Sequence, residues 1–272
     1  MKPQPPPTIS FTGSIPANYD RYLGPFFFED YAIDVSSRVN LSAQHVLELC
    51  CGTGRVTNHL RKILTPTCEL IASDISEDML AIAREKLKGQ NIDWRVIDAQ
   101  EIPLEDGSCD LVVCCFGYML VPDKEKAFVE ALRVLRPGGT LLMSTWDKLE
   151  NNHASNVFRK IVKDYFGDSL PESYRLPFSL NDPESIKQLL LTAGFSKVSI
   201  DIVEKVPSGF SAKEVAYALV HGGALYNEIM NRNSSWVEEI TDALEKQLTT
   251  KYGRMPMLAP MRALICQAVK SA

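Results

Sequence analysis

The sequence contains no apolar run that approaches the roughly 20 residues of a membrane-spanning helix. It also has no excess of basic residues, since 29 Lys and Arg stand against 34 Asp and Glu, for a formal net charge of −5. A protein that binds nucleic acid through phosphate contacts usually has the opposite balance. We therefore expect a soluble protein with no membrane span and no nucleic-acid partner, and a small molecule is the expected substrate.

The cysteines show neither a disulfide framework nor a metal site. There are seven of them, an odd number, and the adjacent pairs Cys50-Cys51 and Cys114-Cys115 lack C-x-x-C spacing. Buried small side chains in a reducing cytoplasm are the simpler interpretation. The proline-rich start of the chain lacks the apolar core of a signal peptide. We expect residues 1–10 to be a disordered leader and the protein to be cytoplasmic.

A short stretch that contains two glycines organises the rest of the chain. The apolar residues from Val46 to Leu49 suit a β-strand, and Gly52 and Gly54 follow in a tight turn. Helical spacing resumes from Thr57 to Leu64, so the turn directs the free N–H groups of a helix N-terminus towards a ligand above the strand. This stretch predicts a site for a nucleotide-like cofactor.

The glycine pattern leaves the cofactor open. A dinucleotide fingerprint has a third glycine or alanine where this chain has Thr57, which weakens the pyrophosphate interpretation. The next apolar run ends at Asp74, where a carboxylate can accept hydrogen bonds from both ribose hydroxyls. NAD and S-adenosylmethionine both have such a ribose, so Asp74 does not distinguish them.

Further strands and helices alternate along the chain. Residues 92–97, 111–117 and 140–145 have the composition of strands, and Ser76 and Asp123 are placed to cap the helices between them. Alternating strands and helices predict a parallel, doubly wound sheet whose ligands bind at the carboxyl ends of the strands.

In their order and spacing, these stretches from Val46 to Trp146 resemble the class I S-adenosylmethionine-dependent methyltransferases. The resemblance is strongest to the small-molecule group that includes the ubiquinone and menaquinone C-methyltransferases. It implies S-adenosyl-L-methionine as cofactor and methyl transfer to an oxygen, nitrogen or carbon of a small acceptor. It also implies an α/β fold with a doubly wound, mostly parallel, seven-stranded Rossmann-like sheet, an N-terminal helical cover and a helical insertion before the last strand.

The resemblance also assigns roles to single residues. The methionine moiety would be held by Glu48 and the loop from Cys50 to Gly54, and the ribose by Asp74. The adenine would contact Ile75, Met79, Asp98 and Ala99, and Phe116 would lie where cofactor and acceptor meet. The implied cofactor-binding residues are Glu48, Cys50, Cys51, Gly52, Gly54, Asp74, Ile75, Met79, Asp98, Ala99 and Phe116. The family has glycine where this chain has Cys50, and we expect a tolerated substitution that stiffens the turn.

The flanking regions are expected to select the substrate within one domain, residues 11–272, whose core is residues 40–146. The substrate and lid regions would be residues 11–39, 147–195 and 207–259. The last of these contains a predicted helix from Ala212 to Val220 and a second one opened by a capping box at Ser235 and Glu238. Gly222-Gly223 would be a hinge between them. The two helices form a lid over the strand ends, a dimer interface or additional core.

Several residues are candidates for the acceptor and for catalysis. Tyr19, Tyr22, Tyr118 and Trp146 are the expected substrate contacts, and these aromatic residues suggest a flat or apolar acceptor. The catalytic residue stays unassigned, with His221, His153 and Tyr22 as candidate bases if the acceptor must lose a proton. The protein is expected to be a monomer or a homodimer.

Two other functions stay open on the residues alone. One is an NAD(P)-dependent oxidoreductase, which the missing third glycine disfavours. The other is a non-catalytic cofactor-binding protein, which the acids at Glu48, Asp74 and Asp98 disfavour.

Overall fold

The computed structural model describes residues 13–167 and 170–272. The leader predicted for residues 1–10 lies outside the described residues. The strands are β1 His45–Glu48, β2 Glu69–Asp74, β3 Asp93–Val96, β4 Cys109–Cys115, β5 Leu135–Trp146, β6 Lys197–Lys205 and β7 Met261–Val269. They form one seven-stranded sheet in the order β3-β2-β1-β4-β5-β7-β6. Only β7 is antiparallel to its neighbours within the described ranges, so the predicted doubly wound, mostly parallel sheet is confirmed.

The α-helices flank this sheet and precede it. They are α1 Ile15–Asn18, α2 Gly24–Phe27, α3 Glu29–Ser37, α4 Arg55–Ile63, α5 Glu77–Lys86, α6 Lys124–Val134, α7 His153–Phe166, α8 Glu172–Arg175, α9 Pro183–Ala193, α10 Ala212–His221, α11 Leu225–Arg232 and α12 Ser235–Tyr252. A turn of π-helix, Tyr19–Leu23, joins α1 to α2. None of the helices in the described ranges has both the length and the apolar composition to cross a bilayer.

The sheet has a hydrophobic core on each face because side chains alternate along the strands. On β4, Leu111 and Val113 pack in the core that includes Ala32 and Leu60 of α3 and α4. Val112, between them, faces the larger core that contains residues of α6, α7, α10 and α12. The strands are therefore buried on both sides, as parallel sheets usually are.

The helix caps identified by local sequence are present. Ser76 Oγ accepts a hydrogen bond from Met79 N at 3.4 Å, and Asp123 Oδ1 accepts one from Lys126 N at 2.9 Å. Each cap satisfies an N–H group that the first turn of a helix leaves unpaired. These caps fix where α5 and α6 begin.

The capping box predicted at Ser235 and Glu238 is wrong. The residue before α12 is Ser234, which makes no side-chain cap, and Ser235 Oγ donates to Glu239 instead. A true capping box opens α10, where Ser211 and Glu214 exchange side-chain to backbone hydrogen bonds. The insertion also contains the short helix α11, which the sequence analysis did not predict.

Candidate active site

A cavity of about 360 Å³ lies at the carboxyl edge of the sheet, where the parallel strands end. Its floor comes from the ends of β1, β2 and β4 and the segment after β3, and its roof comes from the N-terminal segment and the turn between α10 and α11. The predicted cofactor residues that line it are Cys50, Gly52, Asp74, Ile75, Met79, Asp98, Ala99 and Phe116, and Tyr19 and Trp146 line it as well. The fold thus brings together residues as distant in sequence as Tyr19 and Trp146.

The loop after β1, residues 50–54, forms a cradle at one side of the cavity. Gly52 has φ of 56°, and a Cβ there would meet no atom within 4 Å. Gly54 has φ of 77°, and a Cβ there would lie 3.0 Å from Ala83 Cβ of α5. Gly52 therefore leaves open space beside the cavity, whereas Gly54 lets the loop pack closely on α5.

Cys50 adopts a backbone conformation that favours glycine. Its φ is 54°, in the left-handed region that residues other than glycine rarely adopt. The expected tolerated substitution therefore carries backbone strain. Gly117 makes room for the thiol, because a Cβ on Gly117 would lie 2.4 Å from Cys50 Cβ.

Asp74 is held by the loop that it faces. Its Oδ2 accepts a hydrogen bond from Gly52 N at 2.8 Å, and its Oδ1 accepts one from Ser76 N at 2.9 Å. Burial raises the pKa of Asp74 despite these backbone donors. Asp74 lines the cavity, where its carboxylate can accept a hydrogen bond from a ribose hydroxyl, and Ile75, 64% exposed, offers apolar surface to an adenine. Asp74, the Gly52 cradle and Ile75 fit S-adenosylmethionine.

Glu48 lies deeper than the sequence analysis implied. It ends β1, is 1% exposed, and does not line the cavity. Its Oε2 has no hydrogen-bond partner among the described residues. Burial raises the pKa of Glu48 to about 8. Cys51 and Gly54 also lie outside the lining, so the contacts of these three residues with the methionine moiety stay predictions.

Charged side chains join residues 13–39, which we call the cover, to the loop after β1 and the start of α4. We call the loop after β1, residues 50–54, the cofactor loop. Asp20 accepts hydrogen bonds from Thr53 Oγ1 at 2.7 Å and from Lys86 Nζ at 2.5 Å. Arg55 donates to the Asp20 carbonyl oxygen at 3.1 Å and pairs with Glu29. This network holds the cover over the loop.

Aromatic rings pack together at the junction between the expected cofactor side of the cavity and its acceptor side. Phe116 stacks on Trp146 with ring centroids 4.2 Å apart, and Phe28 packs against Phe116 at 5.2 Å. Tyr19 stacks on Phe28 at 5.4 Å, and burial raises the pKa of its phenol. These rings make a flat, apolar wall at the junction.

The two helices predicted as a lid, α10 and α12, differ in whether they border the cavity. Leu219 at the end of α10 and Gly223 to Leu225 line the cavity together with Asp74 and Phe116. In contrast, α12 packs on α10 and α7 and contributes no residue to the lining. Gly222, predicted as part of a hinge, is a contact point, because a Cβ there would lie 2.8 Å from Leu23 Cβ of the cover.

The candidate catalytic residues do not line the cavity. His221 stacks on Tyr217 at 4.0 Å, and Tyr22 packs edge-on against the same ring at 4.8 Å. His153 lies near Tyr252, with ring centroids 5.7 Å apart. Their role as bases stays a prediction, and this arrangement does not support it.

Tyr118 is fully buried in the core beside Phe128, with ring centroids 4.7 Å apart. Of the four expected substrate contacts, Tyr19 and Trp146 line the cavity, whereas Tyr118 and Tyr22 do not. The position of Tyr118 shortly after β4 did not indicate whether its ring would point into the cavity or into the core.

Part of the lining was not predicted from the sequence. Beyond β5, the cavity is lined by Ser155, Phe158, Ser173, Tyr174, Pro177 and Phe178. These residues lie on α7, α8 and the turn of 3₁₀-helix that follows. No motif marks them, because apolar and small residues at helical spacing are equally typical of a core.

Comparison with known proteins agrees with this geometry. A family model described as "Methyltransferase domain" matches residues 46–139. The chain is similar to the ubiquinone/menaquinone biosynthesis C-methyltransferase UbiE of Pasteurella multocida, with 34% identity over 170 residues that cover 57% of this chain and 63% of that protein. It is also similar to the demethylmenaquinone methyltransferase of Staphylococcus haemolyticus, with 32% identity over 227 residues, or 75% of this chain and 90% of that protein.

Among solved structures, a phosphoethanolamine N-methyltransferase 2 of Haemonchus contortus in complex with S-adenosyl-L-methionine has the same fold. Its TM-score is 0.60 at 18% identity, and the match covers 96% of this chain and 58% of that chain. Neither the oxidoreductase nor the non-catalytic alternative is supported by these comparisons. The chain belongs to the class I S-adenosylmethionine-dependent methyltransferases, in the group that includes the ubiquinone and menaquinone C-methyltransferases.

Proposed function

We propose that the protein transfers a methyl group from S-adenosylmethionine to a small, uncharged aromatic acceptor. The lining of the cavity carries this proposal. On the acceptor side it consists mainly of rings and apolar side chains, including Phe28, Trp146, Phe158 and Phe178. Among the described lining residues there is no Lys, Arg or His to neutralise a phosphate or carboxylate. A flat, uncharged ring gains most from such walls.

The similarity to quinone methyltransferases supports the same acceptor class. One of the two relatives described above is named for ubiquinone and menaquinone biosynthesis, and the other for demethylmenaquinone. A quinol ring is flat, aromatic and uncharged, which suits the wall formed by Phe116 and Trp146. The expected cytoplasmic location and the monomeric or homodimeric state stay predictions.

The residues of the chain would act mainly by positioning. Bound S-adenosylmethionine supplies a methyl group made electrophilic by its sulfonium. Asp74 and the Gly52 cradle hold the cofactor at one end, and the rings of Phe116 and Trp146 orient the acceptor beside it. Holding the two reactants in line converts an encounter into a step within one complex, which supplies much of the rate acceleration. The cover and the end of α10 exclude water from the junction.

Among the described residues, no strong base faces the acceptor side. Tyr19, Cys115 and Tyr174 line the cavity, and burial raises the pKa of each, so all three are poor bases near neutral pH. The proposal therefore favours an acceptor whose own ring is electron-rich enough to attack, as a phenol or quinol is.

An acceptor panel tests the proposal. The purified protein is incubated with S-adenosylmethionine and with a naphthol, a reduced naphthoquinone, phosphoethanolamine or a benzoate, and mass spectrometry detects a gained methyl group. We expect methylation of the uncharged aromatic compounds only. Trp146→Leu should raise KM for the acceptor about tenfold with little change in S-adenosylhomocysteine affinity, since it removes ring contact on the acceptor side.

Phe128→Leu is the matched control for that variant, because Phe128 is a buried ring outside the cavity. It should lower stability without a selective effect on the acceptor KM. Methylation of phosphoethanolamine or benzoate, with none of the aromatic compounds, would reject the proposed acceptor class.

A further inference from the structure

Two serines form a small polar site in the otherwise apolar acceptor side of the cavity. Ser155 on α7 and Ser173 on α8 both line it, as do the rings of Phe158, Tyr174 and Phe178. We call Ser155 and Ser173 the serine site. They belong to the part of the chain beyond β5, outside the residues 46–139 that the family model matches.

The surrounding side chains hold the serine site in place. Tyr174 donates its hydroxyl hydrogen to the Ser155 carbonyl oxygen at 2.5 Å, which links α8 to α7. The Ser173 hydroxyl donates to the Glu228 carboxylate of α11. The two serines are therefore positioned by contacts with three helices.

The hydrogen-bonding capacity of the site is partly unused. The Ser155 side chain is buried, and its hydroxyl makes no hydrogen bond with the described residues. Because the Ser173 hydrogen is engaged by Glu228, the lone pairs of Ser173 remain available to accept from another O–H group. A polar group left unpaired in an apolar wall costs free energy, and a ligand that pairs with it recovers that cost.

The serine site is separate from the polar groups that fit the cofactor. Asp74 is the last residue of β2, and Asp98 follows β3. Ser155 and Ser173, in contrast, lie on helices that follow β5. We therefore expect a substituent that reaches the serine site to differ from the atom that meets the cofactor, with the rest of the ring against the apolar wall.

We propose that Ser155 and Ser173 select an acceptor whose aromatic ring carries a hydroxyl or carbonyl substituent at a position other than the methylated atom. Ser173 accepts from a hydroxyl, and Ser155 donates to or accepts from the same substituent. This inference rests on the proposed function, since it presupposes an uncharged aromatic acceptor.

The test compares two probes that differ in one hydroxyl, 2-naphthol and naphthalene. Each is titrated calorimetrically into the full chain saturated with S-adenosylhomocysteine. The proteins are the wild type, the double variant Ser155→Ala/Ser173→Ala, and the control Ser36→Ala. Ser36 is also a buried serine with an unpartnered hydroxyl, but it lies on α3 away from the cavity.

We expect the wild type and Ser36→Ala to bind 2-naphthol about fivefold to tenfold more tightly than naphthalene, the effect of one or two hydrogen bonds. The double variant should bind both probes equally and keep its affinities for naphthalene and S-adenosylhomocysteine. A general structural role of the serines would weaken both probes alike and leave their ratio unchanged.

The other outcomes separate this inference from the proposed function. If the double variant binds both probes and keeps the preference for 2-naphthol, the serine site does not recognise the substituent and the inference is overturned. If the wild type binds S-adenosylhomocysteine but neither probe, the proposed acceptor class is rejected and the inference with it. If binding of S-adenosylhomocysteine is lost in the double variant alone, the serines serve the cofactor site and the inference is again overturned.

Discussion

Two residues that line the cavity, Cys50 and Phe116, have positive φ angles of 54° and 57° although neither is glycine. Such a conformation costs roughly 1–3 kcal/mol per residue and persists where surrounding contacts require it. Both residues lie at strand ends beside the expected methyl-transfer position. The strain is therefore concentrated where the backbone turns sharply beside the expected cofactor site.

Replacement of Cys50 by glycine tests this strain. Cys50→Gly removes the φ penalty but loses a small side chain and adds freedom to the unfolded chain, so the free energy of unfolding should change by less than about 1 kcal/mol. Cys51→Gly is the matched control, because Cys51 is buried and has no positive φ to relieve. It should lower the free energy of unfolding by about 2 kcal/mol or more in urea titrations. Equal losses in the two variants would contradict the strain argument.

Glu48 makes the stability of the ligand-free protein depend on pH. Its pKa is about 8 in the folded state against a reference of 4.5, so the folded chain retains a proton that the unfolded chain releases. The contribution of Glu48 to stability is therefore full below about pH 4.5 and is lost as pH rises towards 8. Glu48→Gln removes this dependence.

We expect Glu48→Gln to gain stability over the wild type as pH rises, by up to about 4 kcal/mol between about pH 5 and about pH 8. Urea unfolding at several pH values measures the difference. Glu69→Gln is the control, because Glu69 is largely exposed. Parallel pH profiles for the wild type and Glu48→Gln would show that Glu48 is ionised in the folded protein.

At the scale of elements, the cover and α10 close the cavity by touching each other. Leu23 of the cover approaches Gly222 at the end of α10, and the Asn18 side chain donates to the His221 carbonyl oxygen at 3.4 Å. The cover is also tied to the cofactor loop through Asp20. The roof of the cavity is thus built from two segments about two hundred residues apart in sequence.

A methyl group at Gly222 should weaken this closure. In Gly222→Ala, the added Cβ would lie 2.7 Å from the Ala218 carbonyl oxygen and 2.8 Å from Leu23 Cβ, so the cover must move away. We expect S-adenosylhomocysteine to dissociate about tenfold faster in stopped-flow measurements, which corresponds to about 1.4 kcal/mol. Gly223→Ala is the control, because a Cβ there meets no atom within 4 Å. Similar dissociation rates for the two variants would disprove a role of this contact in closure.

At the scale of the molecule, binding of the cofactor should stabilise the whole fold, since the cavity is lined by the ends of β1, β2, β4 and β5. A ligand that binds only the folded state stabilises it by about 4 kcal/mol at a thousandfold excess over its Kd. For a chain of this length the corresponding rise in Tm is roughly 10 °C.

We expect S-adenosylhomocysteine at millimolar concentration to raise Tm by this amount and NADPH to leave it unchanged. Asp74→Ala should abolish the rise, because it removes the acceptor for the ribose hydroxyls. Asp78→Ala, which alters an exposed residue of the next helix, should retain it. A rise with NADPH but not with S-adenosylhomocysteine would make the loop at Gly52 a phosphate-binding site.

The sequence alone determined the sheet, the order of its strands in the chain and the cofactor edge. These features depend on local chemistry: alternating apolar residues on the strands, caps such as Ser76 and Asp123, and acids placed directly after strands. Parallel strands bring their carboxyl ends to one edge whatever the details of packing. Asp74 could therefore be placed at this edge from its position after a strand, and the resemblance to the methyltransferases added Asp98 and Phe116 to the same site.

Tertiary structure alone decided the acceptor side and the roof of the cavity. Ser211 and Ser235 head the same S-x-x-E pattern, yet only Ser211 forms a capping box, because the chain entering the helix determines which N–H groups remain unpaired. Likewise, Ser155, Ser173 and the end of α10 meet across long stretches of sequence, and His221 packs among tyrosines outside the cavity. Which face of a helix borders a cavity depends on what packs against its other faces, and this information is spread over the whole chain.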